Sequence, residues 1–286
     1  MQHDARPGAV IEAEALSERL GDPAVAIVDC RFDLADPGAG FAAYREAHIP
    51  GACYANLDKD LARAPGTHDG RHPLPISEDL AARLGAWGIS NESFVVAYDE
   101  GSGAFAARLW WLLRWLGHER AAVLNGGFTR WRSLGLPAER RVGERARMHY
   151  APRAVHEDWV VDAGEAARLA QGKGLLVDAR APARFRGERE PIDPVAGHVP
   201  GAVNRPFTEN LAADGRLRSA AELRADFQRL LGGRKPAELA AMCGSGVTAC
   251  HLLWAMEAAG VGMGRLYAGS WSEWIRDPGR PVATGA

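Results

Sequence analysis

Short apolar runs alternate with longer amphipathic stretches along most of the chain. Runs that are apolar at successive positions are typical of strands buried on both faces of a sheet. They lie at residues 24–28, 94–98, 121–124, 175–177, 239–242 and 265–267. Between them, the periodicity of apolar residues predicts helices at residues 78–84, 104–116, 220–231 and 248–259. Because strands and helices alternate, we predict an α/β fold of parallel sheets flanked by helices.

The second half of the chain repeats the first. Both halves contain an apolar-Val-Asp-x-Arg segment, a His-hydrophobic-Pro-Gly-Ala segment, and a Gly-Ser-Gly triplet before a helical stretch. These matches are 27–31 with 176–180, 48–52 with 198–202, and 101–103 with 244–246. Matches in the same order indicate a duplicated domain. We therefore predict an amino-terminal domain at residues 1–138, a linker rich in arginine at 139–155, and a carboxy-terminal domain at 156–286.

Composition and charge exclude several classes of protein. The 286 residues carry 34 Lys+Arg against 36 Asp+Glu, a formal charge of -2, which gives no overall basic field for nucleic acid. The most apolar stretch, 109–116, is interrupted by Arg114 and is far shorter than the ~20 residues of a membrane span. The polar start at residues 1–10 lacks the apolar core of a secretory signal. We expect a cytoplasmic protein without nucleic-acid or membrane partners.

The cysteines give the first indication of chemistry. They stand at positions 30, 53, 243 and 250, a spacing that fits neither a disulfide framework nor a paired CxxC zinc site. We therefore expect a reducing compartment and no metal. Cys30 and Cys53 align in the repeat with Ala179 and Val203, so they are predicted to be buried, inert thiols. Cys250 is predicted to lie in a helix core.

Residues that both halves keep are better explained by the fold than by catalysis. His48 and His198 each occupy a turn that leads into a strand, and we interpret both as structural. Asp29 and Asp178 each precede an arginine by two positions, which indicates turn-fixing or ion-pairing roles. Candidates for chemistry are therefore the residues that one half alone possesses.

Cys243 is such a residue. It follows an apolar strand and opens Cys-Gly-Ser-Gly-Val-Thr at 243–248, directly before a helix. In such a turn, backbone N–H groups and the positive end of the helix dipole converge on one spot and favour a thiolate there. In the first half, alignment of the triplets places Glu100 opposite this cysteine, whereas counting from the strand end places Asp99 there. Under either alignment the first half lacks a nucleophile, so we expect one active and one silent domain.

Together with Gly-Ser-Trp-Ser-Glu-Trp at 269–274, these motifs resemble those of the tandem-domain rhodanese sulfurtransferases over nearly the whole chain. The resemblance implies two rhodanese-like domains, the first silent and the second active through a cysteine persulfide that carries one sulfur atom, with no cofactor. A loop Cys-Gly-Ser-Gly-Val-Thr is typical of 3-mercaptopyruvate sulfurtransferases, whereas rhodaneses that prefer thiosulfate usually carry Cys-Arg-Lys-Gly-Val-Thr. The two cationic side chains of that loop suit thiosulfate, which is a dianion. The corresponding positions here, Gly244 and Ser245, are neutral.

The resemblance also implies site residues. Cys243 would be the nucleophile, Ser245 would polarise the donor, and Asp58 would complete a Cys-Ser-Asp arrangement. Arg184 would grip the donor carboxylate through its bidentate fork, and His72 would at most line the site. The donor-binding loop itself would comprise Gly244, Gly246, Val247 and Thr248. The second arginine that mercaptopyruvate enzymes usually place shortly before the Gly-His of the second domain is absent from residues 190–198, although Arg186 and Arg189 lie just before that stretch and could substitute for it.

The expected reaction moves sulfur from 3-mercaptopyruvate to Cys243 and then to cyanide, a small thiol or a reduced protein dithiol. One alternative is a thiosulfate:cyanide sulfurtransferase, and another is a non-catalytic rhodanese-like binding module. A cysteine phosphatase would need Cys-x5-Arg, but the sixth residue after Cys243 is Ala249. A thiol-disulfide enzyme would pair Cys243 with Cys250, which the intervening helical turns are expected to carry away.

Overall fold

Two compact α/β units make up the computed structural model, which describes residues 8–143, 145–172 and 174–286. The first unit comprises the described part of Met1–Ala62 together with Pro75–His156 and Ala213–Arg216. The second comprises Arg63–Leu74 and the described parts of Glu157–Ala212 and Leu217–Ala286. A short segment from the first half of the chain, Arg63–Leu74, thus packs with the second unit. The predicted division at 1–138, 139–155 and 156–286 stays a prediction, and residues 1–7 of the predicted polar start lie outside the described residues.

A fully parallel sheet forms the centre of the first unit. Its elements are β1 (Val10–Ile11), α1 (Ala13–Ser17), β2 (Val25–Asp29), α2 (Ala39–Glu46), β3 (Cys53–Tyr54), α3 (Ser77–Ala86), β4 (Phe94–Tyr98), α4 (Ala106–Trp115), β5 (Ala121–Leu124) and α5 (Gly127–Ser133). The strands lie in the order β1-β5-β4-β2-β3. Every residue of β2, β4 and β5 is buried, as the apolar runs predicted. Helix α4 is also buried apart from Arg114, so its tryptophans are core residues.

The second unit repeats this arrangement. Its elements are α6 (Ala163–Gln171), β6 (Leu175–Asp178), α7 (Pro182–Phe185), β7 (Val203–Asn204), α8 (Ala220–Leu231), β8 (Leu239–Met242), α9 (Val247–Ala258), β9 (Arg265–Leu266) and α10 (Ser270–Trp274). The parallel strands lie in the order β7-β6-β8-β9, and Val160 forms an isolated parallel bridge to Leu266 where β1 pairs with β5 in the first unit. The predicted duplicated α/β fold is confirmed. No helix in the described ranges is long and apolar enough to cross a bilayer.

The aspartates common to both halves form ion pairs at the ends of equivalent strands. Asp29 accepts hydrogen bonds from the Arg31 backbone N–H at 2.9 Å and from its guanidinium. Asp178 does the same for Arg180, at 3.0 Å from the backbone N–H. The predicted turn-fixing, ion-pairing role is confirmed for both aspartates.

The two histidines of the repeated turns serve the backbone. His48 Nδ1 lies 2.7 Å from the Tyr44 carbonyl oxygen, and His198 Nδ1 lies 2.8 Å from the Phe185 carbonyl oxygen. The His48 imidazole also stacks on the Tyr44 ring, and the His198 imidazole stacks on the Phe185 ring. Each histidine therefore ties a helix end to the turn that follows it, in agreement with the structural interpretation.

The arginine-rich segment at 139–153 runs along the first unit. The Met148 N–H donates to the Gly85 carbonyl oxygen at 2.9 Å, and Arg145 Nη1 donates to the Val25 carbonyl oxygen at 2.8 Å. The Arg153 N–H donates to the Leu116 carbonyl oxygen at 3.2 Å. These bonds attach successive parts of the segment to two helix ends and a strand.

Candidate active site

Cys243 stands at the carboxyl end of β8, where ligand sites of open parallel sheets are found. Its exposed fraction is 3%, so the thiol is nearly enclosed. Gly246 is in the left-handed conformation at φ 77°, and α9 begins at the next residue, Val247. A side chain at Gly246 would place its Cβ 2.5 Å from the Ala268 carbonyl oxygen, so the tight turn into the helix requires glycine.

The amino end of α10 fixes the backbone of the cysteine loop. The N–H groups of Trp271 and Ser272 donate to the carbonyl oxygens of Cys243 and Gly244 at 3.0 and 2.9 Å. The Cys243 N–H donates to Ser270 Oγ at 3.0 Å, and that hydroxyl donates to the Tyr267 carbonyl oxygen at 2.9 Å. The loop is therefore preorganised by residues of the terminal Gly-Ser-Trp motif.

The equivalent loop of the first unit is held by the same kind of backbone bonds, which resolves the alignment that the sequence left open. In the first sheet Asp29 pairs with Tyr98, and at the equivalent place in the second sheet Asp178 pairs with Met242. The next residues after these strands are Asp99 and Cys243, and their carbonyl oxygens accept equivalent N–H groups from α5 and α10. Asp99, not Glu100, is thus the structural counterpart of the cysteine.

Asp99 shows what this kind of loop binds. Its buried carboxylate accepts backbone N–H groups from Gly101, Gly103, Phe105 and Ala106 at 2.9–3.3 Å. Burial raises the pKa of the Asp99 carboxyl, and the four N–H donors oppose that rise. In the first unit the converging amides are therefore already occupied by an anionic side chain.

The N–H groups of the cysteine loop are not occupied in this way. Within the described chain, the N–H groups of Gly244, Ser245, Val247 and Thr248 donate to no other residue. The first N–H groups of α9 have no intrahelical acceptor, and the helix dipole adds positive potential at the same end. Among the loop residues predicted to bind the donor, Gly244, Val247 and Thr248 therefore have N–H groups available for an anion, and their role stays a prediction.

Ser245 forms a buried hydrogen bond with His72. Ser245 Oγ lies 2.7 Å from His72 Nδ1, and both side chains are buried. His72 belongs to the segment Arg63–Leu74, which packs with the second unit. The sequence analysis gave His72 at most a lining role, whereas the geometry makes it the direct partner of the predicted catalytic serine.

Arg184 lies beside Gly244, within a buried cluster of acidic side chains. Its Nε donates to Glu190 at 3.0 Å, and its Nη2 donates to Asp193 at 3.0 Å. Burial alone would raise the pKa of Glu190, but the Arg184 guanidinium and the backbone N–H groups of Asp193 and Ile192 hold it below its usual value. Nη1 of Arg184 donates to no described residue and lies 3.6 Å from where a Cβ on Gly244 would stand.

A second guanidinium, that of Arg71, lies at the same place. Its Nη2 is 3.0 Å from the Cβ position of Gly244, and its Nη1 pairs with Asp193. The Arg71 N–H also donates to Ser272 Oγ at 3.0 Å. The sequence analysis missed Arg71, although it directly precedes His72, because no local pattern shows that this segment packs against the second unit.

Asp58 lies in the first unit, in a loop shaped by Asn56. The Asp58 N–H donates to Asn56 Oδ1 at 2.9 Å, and the Asp58 side chain reaches the surface. Burial of part of the side chain raises the pKa of its carboxyl. Its expected role beside Cys243 and Ser245 stays a prediction.

Cys30 and Cys250 are buried in the cores of the two units, whereas Cys53, which was predicted to be buried, is only partly buried. Burial raises the pKa of Cys30 far above its ordinary value and that of Cys53 to about 12. Cys250 is fully buried in α9, and its Sγ lies 3.1 Å from the Gly246 carbonyl oxygen. Among the described residues, no three His, Cys, Asp or Glu side chains cluster as a metal site would require.

Comparison with known proteins agrees with this geometry. The profile of the Rhodanese-like domain matches residues 12–134 and 162–277. A Pseudomonas aeruginosa protein named "Probable 3-mercaptopyruvate sulfurtransferase" is 50% identical over 281 residues, covering 96% of this chain and 98% of its own. A Mycobacterium tuberculosis protein named "Putative thiosulfate sulfurtransferase SseB" is 38% identical over 291 residues, covering 98% and 99%.

Solved structures give the same result. The 3-mercaptopyruvate sulfurtransferase from Leishmania major superposes with a TM-score of 0.83 at 30% identity, over 95% of this chain and 76% of that one. Sequence and structure thus agree on the fold and on its duplication. The chain belongs to the rhodanese family, with two rhodanese-like domains in tandem.

Proposed function

We propose that the protein is a sulfurtransferase that takes sulfur from 3-mercaptopyruvate onto Cys243 and passes it to a thiol or to cyanide. The observation that carries the proposal is the enclosed Cys243 thiol at the start of a loop whose N–H groups at Gly244, Ser245, Val247 and Thr248 have no acceptor in the described chain. The equivalent loop in the first unit holds a carboxylate, so this loop geometry suits an anion. The similarity to proteins named 3-mercaptopyruvate sulfurtransferases supports this choice of donor.

In the first half-reaction the Cys243 thiolate attacks the sulfur of 3-mercaptopyruvate. A sulfur–sulfur bond forms, the carbon–sulfur bond breaks, and its electron pair leaves on carbon as the pyruvate enolate. The methylene carbon then takes up a proton, and the outer sulfur of the persulfide gives up its own. The net result is pyruvate and an anionic persulfide, with no gain or loss of protons.

Ser245 and His72 are placed to move this proton. Their 2.7 Å contact lets the hydroxyl exchange a proton with the imidazole while it faces the donor. The loop amides hold the developing anions, and a well-aimed donor of this kind contributes ~3–4 kcal/mol in other anion holes. Gly244, Gly246, Val247 and Thr248 supply this part of the site through their backbone. We retain Asp58 as a further candidate catalytic residue.

In the second half-reaction an acceptor nucleophile attacks the outer sulfur and releases the Cys243 thiolate. Cyanide would yield thiocyanate, whereas a small thiol or one sulfur of a reduced protein dithiol would take the sulfur as a persulfide. The two steps form a ping-pong exchange. A reducing compartment keeps such a thiol unoxidised, so we place the reaction in the cytoplasm.

Thiosulfate is the second candidate donor, and two guanidiniums beside Gly244 favour it at first sight. They are, however, balanced by buried carboxylates. Arg71 and Arg184 share Asp193, and Arg184 also pairs with Glu190. Because this cluster has little net charge, it suits the single carboxylate of 3-mercaptopyruvate better than the two charges of thiosulfate.

Intact-mass spectrometry tests the proposal directly. The protein is incubated separately with 3-mercaptopyruvate and with thiosulfate, and Cys243→Ser serves as the control. We expect a gain of one sulfur atom from 3-mercaptopyruvate, with pyruvate released, and no gain in the variant. Sulfur gained from thiosulfate alone would reverse the choice of donor, and no gain from either donor would favour a non-catalytic binding module.

A further inference from the structure

The segment Arg63–Leu74 is attached to the second unit at three successive residues. A Cβ on Gly70 would stand 2.4 Å from the Gly269 carbonyl oxygen, so the two backbones are in close contact. The next residue, Arg71, donates its N–H to Ser272 at 3.0 Å, and His72 contacts Ser245. Arg71 is therefore fixed by its neighbours on both sides rather than by its side chain alone.

The Arg71 side chain extends to the same spot as that of Arg184. Its Nη1 pairs with Asp193, whose side chain is 2% exposed and which also accepts from Arg184. A buried carboxylate shared in this way offsets the repulsion between two guanidiniums and fixes their relative position. Asp193 lies in the stretch where the resemblance led us to expect a second arginine.

Both guanidiniums retain donors on the side of the cysteine loop. Within the described chain, Nη2 of Arg71 and Nη1 of Arg184 have no acceptor. Arg71 Nη2 and Arg184 Nη1 lie 3.0 and 3.6 Å from the Cβ position of Gly244. Their side chains are 27% and 17% exposed, so a small solute can reach them. These donors converge beside the residue that follows Cys243.

We propose that Arg71 is the second carboxylate-binding residue for the sulfur donor, acting with Arg184, and that Asp193 positions both. This inference rests on the proposed function and identifies how its substrate is recognised. The donor carboxylate lies between the two guanidiniums, while its sulfur faces Cys243. The cation comes from the first half of the chain and takes the place of the arginine that is absent from 190–198.

Two donors that differ only in the carboxylate separate this role from a structural one. Mercaptoacetone has the same thiol beside the same ketone as 3-mercaptopyruvate but lacks the carboxylate. The variants are Arg71→Gln and Arg71→Lys, with Arg63→Gln as the matched control. Arg63 lies in the same segment, but it is 42% exposed and paired with Asp69. Sulfur loading of Cys243 is followed by mass against donor concentration.

We expect Arg71→Gln to raise the 3-mercaptopyruvate concentration for half-maximal loading by about 10- to 100-fold, the range for loss of a charged hydrogen bond. The value for mercaptoacetone should stay within about twofold of the wild type, since Arg71 has no partner on that donor. Arg71→Lys should recover part of the loss, because it keeps the charge but not the fork. Arg63→Gln should behave as the wild type with both donors.

Equal weakening of both donors by Arg71→Gln would show that Arg71 supports the loop rather than the carboxylate, and would overturn the inference. An Arg71→Gln variant that needs no more 3-mercaptopyruvate than the wild type for half-maximal loading would also overturn it. If neither donor loads sulfur onto the wild type, the proposed function itself is overturned instead. The rate of Cys243 alkylation in each variant shows whether the loop has kept its shape.

Discussion

Replacement of Gly246 by alanine tests whether the shape of the loop activates Cys243. Gly246 has a φ of 77°, and an added Cβ would lie 2.5 Å from the Ala268 carbonyl oxygen. The left-handed conformation costs a residue with a side chain ~1–2 kcal/mol. Overpacking against a fixed backbone atom adds ~1–3 kcal/mol. We therefore expect the second unit to lose about 2–5 kcal/mol of stability.

Gly233 provides a matched control in the same unit. Its φ is 86°, but nothing lies within 4 Å of an added Cβ. Gly233→Ala should therefore show only the conformational cost of ~1–2 kcal/mol. The difference between the two variants isolates the contact with Ala268, which is the contact that sets the position of α9 relative to Cys243.

Hydrogen-exchange mass spectrometry on peptides from β8 measures the stability of the second unit. Sulfur loading from 3-mercaptopyruvate measures the site. Because the clash moves the first amides of α9 away from Cys243, Gly246→Ala should load far more slowly, whereas Gly233→Ala should load at the wild-type rate. Equal stability losses in the two variants, with normal loading in both, would refute the idea that a fixed amide ring activates the cysteine.

Three further predictions address individual side chains. Iodoacetamide near pH 7.5 should label Cys243 but leave Cys53 unmodified, since burial raises the pKa of Cys53 to about 12, and peptide mapping would reveal the opposite pattern. His72→Gln should lower the rate of pyruvate release by about tenfold or more, and an unchanged rate would deny His72 a part in proton transfer. Arg184 holds the pKa of Glu190 below its unfolded value of about 4.3, so Glu190 stabilises the fold above that pH and loses this effect as pH falls through its folded pKa. The difference in urea midpoint between the wild type and Glu190→Gln should therefore shrink below pH ~4, and a difference that grew would contradict this sign.

The longer elements of the fold could be predicted because their signals are local. Helix α8 spans Ala220–Leu231 as predicted, and a capping box between Ser219 and Glu222 marks its start. The two-residue strand β1 was not predicted, and β3 and β7 were predicted only as strands that follow the repeated turns, without bounds, because a pair of residues has no period. Such strands form only when a neighbouring strand supplies hydrogen bonds, and the sequence does not show that neighbour.

The residues of the candidate site also divide into those with a local sequence signal and those without one. Cys243 was predicted because strand, loop and helix follow one another within a few residues, whereas Ser245 was assigned from the resemblance to the rhodanese sulfurtransferases. Arg71 and His72 are more than 160 positions away from them in sequence and reach the site through contacts of Arg63–Leu74 with the second unit. The departure at 190–198 indicated that an arginine was absent, but the sequence offered only the neighbouring Arg186 and Arg189 as substitutes, since nothing in it pointed to the distant Arg71.

The duplicated fold supplies its own comparison for the chemistry of the loop. In both units the residue after the central strand faces amides at the start of the next helix, but Asp99 has its oxygens already bonded to four of them. A carboxylate is a permanent occupant, because its anionic oxygens belong to the side chain and cannot be transferred. A thiol at the same position becomes an acceptor for these donors only as thiolate or persulfide, and it can hand on its outer sulfur. The first unit thus holds a permanent anion where the second has Cys243, which supports the proposal that the second domain alone carries sulfur.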